Sequence, residues 1–528
     1  MLRIDQLRLL PDEPETVLLH KCARLLRVEP SALTGLTVLR RAIDARESLT
    51  FVYTVIVSAP QETALLRRCQ DKRVTAYAPE QYALPASVDA PAVRPIVVGA
   101  GPAGLFAALV LAKCGARPIL LERGQCVEQR QRDVQRFWAT GELDTESNVQ
   151  FGEGGAGAFS DGKLNTGTRD VRHRFIMEQL VSCGAPADIL TDALPHVGTD
   201  MLHIALQRLR RQLLDAGADI RFGTRLEGLT VQEGAVTAVT VRKGGTLYTL
   251  PARQVVLALG HSARDTFEML YDAGAAMEQK PFAMGVRIEH RQSAVDAARY
   301  RRLAGHPSLP PATYKLSCHL PNGRSAFSFC VCPGGQVVAA ASEARRVVTN
   351  GMSEYARGRE NINGALLVNV TPADFPDDHP LSGIRLQRQL EEAAFALGGG
   401  DYRAPCQRVE DFLAGRPSVG AGNVQPSYLP AVTYTDLHRC LPPFISETLA
   451  LALPELGRRL RGYDDPDALL TGVETRSSSP VRLVRDGHYE SNIRGVYPCG
   501  EGAGYAGGIL SAAADGMRCA EKILEVYR

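Results

Sequence analysis

The apolar positions of residues 1–85 switch from alternation to helical spacing and back. LRIDQLRLL and LTFVYTVIV alternate as strands, the second strongly, and ETVLLHKCARLL between them has the spacing of a helix. PSALTGLTVLRRAIDARESL fills the interval before the second strand. The pattern predicts a small α+β module. AYAPEQYALPASVDAPAVRP then loses periodicity and gains Pro and Ala, which reads as a linker.

A different pattern follows in PIVVGAGPAGLFAALVLAKCGARPILLERG. A fully apolar strand enters Gly99-x-Gly101-x-x-Gly104. A helix follows with Ala107, Ala108 and Leu111 on its inner side, Gly115 ends it, and a second strand ends at Glu122. A lone GxGxxG is weak evidence; strand, turn, helix, strand and terminal acid at this spacing form a dinucleotide-binding unit. Gly99 makes the tight turn, Gly101 lets backbone amides approach a pyrophosphate, and Gly104 allows close helix packing. Pro102 and Ala103 open the helix whose N-terminus would face that pyrophosphate. Glu122 is expected on a ribose diol, where its charge argues against a 2′-phosphate, and Arg123 is assigned to the same end of the site.

The choice between FAD and NAD comes from later segments. LHIALQRLRRQLLDAGA reads as a helix, and DIRFGTRLEGLTV, AVTAVTVRKG and TLYTLPA as three short strands. QVVLALGHSARDT returns as an apolar strand ending at Gly260. Helix, meander and returning strand is the layout of FAD domains of the glutathione-reductase type. Near the C-terminus, GVYPCGEGAGYAGGILSAAADGMRCAEKIL gives a strand, a Gly-rich turn and a long helix from about Ile509. Gly500, Glu501, Gly507, Gly508 and Ile509 are assigned to the cofactor. Glu501 reads as an acid on the ribityl or pyrophosphate region, with a surface-turn role as the alternative. The helix after it would aim its positive end at the flavin N1–C2=O edge.

Residues 281–470 are expected to form a second lobe. KPFAMGVRIEH reads as the strand that crosses into it, and RSAFSFCVCPGGQVVAAASE as a hairpin turning at Pro333-Gly334-Gly335. Cys330 and Cys332 would share a strand face, where two small packed side chains are the favoured reading over a redox pair. No CxxxxC follows the first Gly motif, which argues against a thiol relay as the main task. No paired CxxC with further ligands occurs, so no metal is expected. SVGAGNVQ at 418–425 is flanked by Pro and reads as a loop, and LGGGDY as a helix C-terminal turn. No second nucleotide fold is evident, so NAD(P)H would be at most a transient co-substrate.

Composition narrows the classes. The chain has 528 residues, 45% hydrophobic and 22% charged, with 60 basic against 58 acidic residues and a net charge of +2. That length implies two or three domains, and that balance gives no polyanion partner. No stretch of about 18 apolar residues occurs, so no membrane span is expected. Twelve cysteines without a framework, and no signal-peptide pattern, lead to the expectation of reduced thiols in the cytoplasm.

GEGGAGAFSDGKLNTG at 152–167 mimics a P-loop, but Leu164 stands where a hydroxyl residue should bind magnesium. Together with VVGAGPAGLFAALVLA, FSFCVCPGGQVVAA, GVETRSSSPVR and GVYPCGEGAGYAGGI, it makes the chain resemble a family of FAD-dependent proteins known as uncharacterised, or NAD(FAD)-utilising, dehydrogenases. The resemblance spans nearly the whole chain. It implies FAD and a two-lobed α/β flavoprotein fold: a Rossmann-like FAD domain in two parts (93–280 and 471–528), a mixed-sheet substrate domain (281–470) and the N-terminal module. In chains of this type the Gly-rich loop passes beneath the ribityl and isoalloxazine. That assigns Gly154, Gly155, Ser160, Gly162 and Lys163 to the cofactor.

The catalytic candidates are Lys163, as a cation beside the flavin or substrate, and Arg476. Arg476 either orients an anionic substrate or binds a carboxylate of the fold, with the two readings level. His261 is a candidate general base, with packing favoured over it. The expected activity is hydride transfer between non-covalently bound FAD and a small molecule. A flavin oxidase or monooxygenase using O₂ is the first alternative. The second is a flavin-bound regulatory protein touching RNA through Arg67, Arg68, Lys72 and Arg73. The sequence leaves the substrate and oligomeric state open.

Overall fold

A computed structural model describes residues 1–46 and 48–527. The first module is a four-stranded sheet in the order Thr34–Asp44, Thr50–Ser58, Leu2–Leu9, Val74–Ala76, with helices Val17–Leu26 and Glu62–Arg68. Leu2, Ile4, Leu18, Cys22, Val55 and Val57 form its core. Two of its basic residues have local partners: Arg73 pairs with Asp71 at 2.7 Å, and Arg68 donates to the Arg27 carbonyl at 3.1 Å. The linker has neither helix nor strand over 77–95, yet it lies against the next domain. The Tyr82 hydroxyl donates to Glu521 at 2.8 Å, and the Val88 amide to the Cys114 carbonyl at 2.8 Å.

The first lobe is built on five parallel strands in the order Val496–Pro498, Val255–Leu257, Ile96–Val98, Ile119–Leu121, Asp219–Arg221. Each is three residues long, and the inner strands are wholly apolar because both faces are covered. The expected strand DIRFGTRLEGLTV divides in two. Asp219–Arg221 joins the parallel sheet, and after Gly223 the chain turns into Thr224–Gln232, the first strand of a meander completed by Ala235–Lys243 and Thr246–Pro251.

Helix Pro102–Lys113 is apolar all round because it is enclosed on all sides, with ten residues buried. Helix Ile509–Val526 crosses it so closely that a Cβ on Gly516 would run into the Ala103 carbonyl. Gly104 lies as tightly against the Gly99 carbonyl, the approach that its place in the motif requires.

The second lobe carries a seven-stranded mixed sheet in the order Ser317–His319, Ser325–Cys332, Asn361–Val370, Phe282–Arg291, Leu469–Glu474, Ala404–Arg408, Val432–Tyr434. The crossing strand Phe282–Arg291 lies at its centre, and Leu469–Glu474 beside it leads back towards the first lobe. The expected hairpin at Pro333–Gly335 does not form. Ser325–Cys332 pairs with Asn361–Val370, whereas Gln336–Ala339 is wholly buried and pairs with Thr349–Met352 in a separate ribbon. Gly334, at φ +48°, turns the chain out of the sheet instead of back along it. Residues 418–425 form a loop, and Gly399 closes helix Ser382–Gly398 at φ +116°, both as expected. Among the described residues, no helix is long and apolar enough to cross a membrane.

Candidate functional site

A cavity of about 380 Å³ runs from the first Gly turn to the sheet of the second lobe. At one end lies Glu122, 5% exposed. Its carboxylate accepts from the Ala100, Gly124 and Gly152 amides at 2.7, 2.8 and 2.9 Å. It therefore ties three loops together, a task beyond the ribose contact read from the sequence. Arg123 walls the same end, held by Glu146 at 3.0 Å and Asp265 at 2.8 Å over the Phe151 ring.

The middle of the cavity is lined by Gly99, Gly101, Pro102, Ala103 and Gly155 from one side. Gly260, Gly500, Gly507, Gly508 and Ile509 line it as well. Helices Pro102–Lys113 and Ile509–Val526 both begin here, after Gly101 and Gly508, and neither has a side-chain cap. Two sets of free N–H groups thus face one space, a setting that favours anionic groups. Asp515 fixes the second turn: it accepts the Gly500 amide at 2.8 Å and pairs with Arg485 at 2.7 Å.

At the far end the Gly-rich loop meets the second lobe, with Ser160, Asp161 and Lys163 opposite Cys330, Glu474 and Ser477. Lys163 lies 2.9 Å from Asp161 as an ion pair, yet no protein acceptor meets its buried Nζ with hydrogen-bond geometry. Asp161 is fully buried and also holds Arg357 at 2.6 Å. Burial works to raise its pKa, but Lys163 and Arg357 outweigh that and hold it at about 2. Glu474 shows the opposite balance. It is 4% exposed, and burial lifts its carboxyl to about 7 despite Arg287 at 3.2 Å. Burial also lifts Glu501 to about 7, with Lys280 opposing.

Most of the expected site residues converge on this cavity, but Gly104, Gly154 and Gly162 do not line it. Gly104 packs on Gly99 as described, a Cβ on Gly154 would press on the Leu206 side chain, and one on Gly162 would meet Leu202 and the Gly198 amide. These are packing positions behind the loop. Arg476 lines the cavity but is committed to the fold: its guanidinium grips Glu391 at 3.0 and 3.1 Å and donates to Ser262 at 3.2 Å. Of its two readings, carboxylate binding within the fold is the one observed. His261 is buried beside Ser262, and burial, then Arg476 and Arg264, push its pKa down to about 3. Its ring is neutral across the neutral range.

Sequence reasoning missed Glu474. The available signal was a single acid closing the apolar run LLTGVE, two residues before the Arg476 that drew notice.

The residues present fit FAD. A carboxylate closes one end, two uncapped helix starts and open Gly turns line the middle, and an unsatisfied ammonium faces the other end. Glycine is also what Gly155 requires: it has φ +59°, and a Cβ there would come to 3.1 Å from the Cα of Gly101 across the space.

Comparison with known proteins agrees. Residues 94–158 match an FAD binding domain, residues 281–477 a FAD-dependent protein C-terminal domain-like family, and residues 1–58 a domain of unknown function. Similar solved structures include a flavin-dependent brominase, 12% identical, with 82% of this chain and 80% of that one covered and a TM-score of 0.38. Another is a geranylgeranyl bacteriochlorophyll reductase-like protein from Thermoplasma acidophilum, 13% identical, with 84% and 79% covered and a TM-score of 0.37. An uncharacterised protein of Clostridium beijerinckii is 44% identical over 531 residues, covering 100% of this chain and 99% of its own. The chain belongs to the same family as that protein, a family of mixed α/β flavoproteins of oxidoreductase type that bind FAD.

Proposed function

We propose that the protein is a dehydrogenase or reductase of the NAD(FAD)-utilising type, moving a hydride between bound FAD and a small molecule in the cytoplasm. The observation that carries this is the far end of the cavity, where Lys163, Glu474 and Cys330 all line the space beside the Gly-rich loop. FAD supplies the two-electron chemistry, and the chain supplies position, charge and protons. Lys163, its pKa raised by Cys332 and Asp161 against burial, stays cationic and favours negative charge developing beside it. Glu474, with a carboxyl near 7, can give or take a proton at neutral pH. Arg476 holds the wall by binding Glu391, as a positioning residue.

Among the described residues no second Gly-turn nucleotide fold is present. A reduced nicotinamide would therefore meet the flavin over the open cavity and leave again. The FAD-loaded protein, reduced anaerobically and mixed with O₂ in a stopped-flow instrument, tests the reading. A reduced flavin lasting minutes in air supports a dehydrogenase; reoxidation within the first seconds would make it an oxidase or monooxygenase instead.

A further inference from the structure

Two cysteines line the cavity with a second thiol close by: Cys499, whose pKa is pushed up by Cys519 and burial, and Cys330, beside Cys332. Cys330 and Cys332 differ. Their strand carries a bulge: Phe329 pairs with Ala365 and Cys332 with Asn363, so one extra residue is taken up between them. Cys330 itself has φ +40°, a left-handed conformation rare for a residue with a side chain. In a regular strand, i and i+2 lie ~6.6 Å apart, at the far limit of the roughly 4.4–6.8 Å that a disulfide spans. The bulge and the left-handed residue break that regular spacing, and the Cys332 thiol donates to the Cys330 carbonyl at 3.3 Å.

The pair is also placed asymmetrically. Cys330 lines the cavity beside Lys163 and Glu474, whereas Cys332 is fully buried behind it. Arg287 spans both: it donates to the Cys330 carbonyl at 3.0 Å and lies 3.9 Å from the Cys332 sulfur. Its other end pairs with Glu474 at 3.2 Å.

We propose that Cys330 and Cys332 are a redox dithiol on the cavity wall that exchanges an electron pair with FAD, which makes a thiol–disulfide compound the substrate class. This rests on the oxidoreductase reading above. The step balances within the site. Cys330 gives its proton to the Glu474 carboxylate as it becomes the thiolate, and the Cys332 S–H bond breaks as the S–S bond forms, releasing two electrons and the second proton. Bound FAD would take up that electron pair and that proton. An external dithiol then restores the pair by exchange at Cys330, leaving as its own disulfide. The neighbouring Cys332, with Lys163 and Arg287 beyond it, favours the Cys330 thiolate against burial, while Cys332 is held protonated. That is the order of reactivity that an outer attacking sulfur and an inner resolving sulfur need. The disulfide enzymes whose CxxxxC follows the first Gly motif bring their thiols from the nucleotide lobe; here they come from the second.

Dithiothreitol tests this on the FAD-loaded full-length protein without oxygen. The expected result is that it bleaches the flavin absorbance of the wild type, and that Cys330→Ser and Cys332→Ser abolish the bleaching although dithionite still bleaches both. Peptide mapping is independent of activity. Trypsin releases residues 325–345, which contain only these two cysteines. After oxidation by diamide and alkylation this peptide should carry no alkyl group, and after reduction two. A peptide carrying two in both states, or bleaching by dithiothreitol that survives both serine variants, overturns the dithiol. Either result leaves the oxidoreductase reading standing as long as dithionite reduces bound flavin; a protein that binds no flavin would remove that reading instead.

Discussion

Glu391→Gln isolates the buried charge cluster that joins the two lobes. Glu391 is fully buried in helix Ser382–Gly398. Arg264 of the first lobe donates to it at 2.7 and 2.8 Å, Arg476 at 3.0 and 3.1 Å, and the Thr475 hydroxyl at 2.6 Å. The substitution keeps the shape and removes the charge, leaving two buried guanidinium groups short of a partner. Breaking a buried pair in this way costs about 3–5 kcal/mol. Glu343, 2.6 Å from Arg264 and 3.7 Å from Arg476, offsets part of it, so the lower end applies.

At ~2–4 °C per kcal/mol for a unit of this size, a cost of ~3 kcal/mol lowers the melting temperature by roughly 6–12 °C. Differential scanning calorimetry of the FAD-loaded protein at pH 7 reads it. The pH dependence has a fixed sign. Burial works to raise the Glu391 carboxyl, but Arg264 and Arg476 hold it well below the usual range. Its stabilisation is therefore present above the unfolded-state value of about 4.3 and is lost as pH falls below it. The gap between wild type and variant should narrow on acidification below pH ~4. A shift under ~2 °C at pH 7 would mean that water reaches the arginines, and would refute the cost assigned to burying them unpaired.

Lys163→Ala should move the flavin absorbance and lower its midpoint potential by ~30 mV or more, about 1.4 kcal/mol for a two-electron couple; an unchanged spectrum and potential would remove Lys163 from the flavin site. The rate of anaerobic flavin reduction should change across pH 7 as Glu474 titrates, and Glu474→Gln should flatten that step; the same step in the variant would assign it elsewhere. Gly516→Val drives a side chain into the Ala103 carbonyl, so it should cost ~1–3 kcal/mol by calorimetry and loosen flavin binding, and unchanged melting and flavin retention would contradict the packing described.

Local chemistry explains what could be read ahead of the structure. The turn at Gly99 to Gly104 and the one before Ile509 announced themselves because glycine, strand and helix lie within one short stretch. The seven-stranded sheet was not legible, since its order rests on pairings between residues far apart in the chain. The expected hairpin failed for that reason: a Pro-Gly-Gly turn says that the chain bends, and the buried ribbon with Thr349–Met352 decides where it goes. Glu391 sits in QLEEAAFALG, where an acid reads as a solvated helix face. Only the arrival of Arg264 and Arg476 from other segments makes it a core residue. Lys163 drew notice as a fragment of a failed phosphate loop, and its pairing with Asp161 needed the fold.

The cofactor content of the purified full-length protein tests the central claim most directly. Denaturation should release flavin that chromatography and mass identify as FAD, one per chain, leaving none covalently attached. A colourless protein that takes up no FAD on reconstitution would contradict the site assembled around Glu122, the two uncapped helix starts and Lys163.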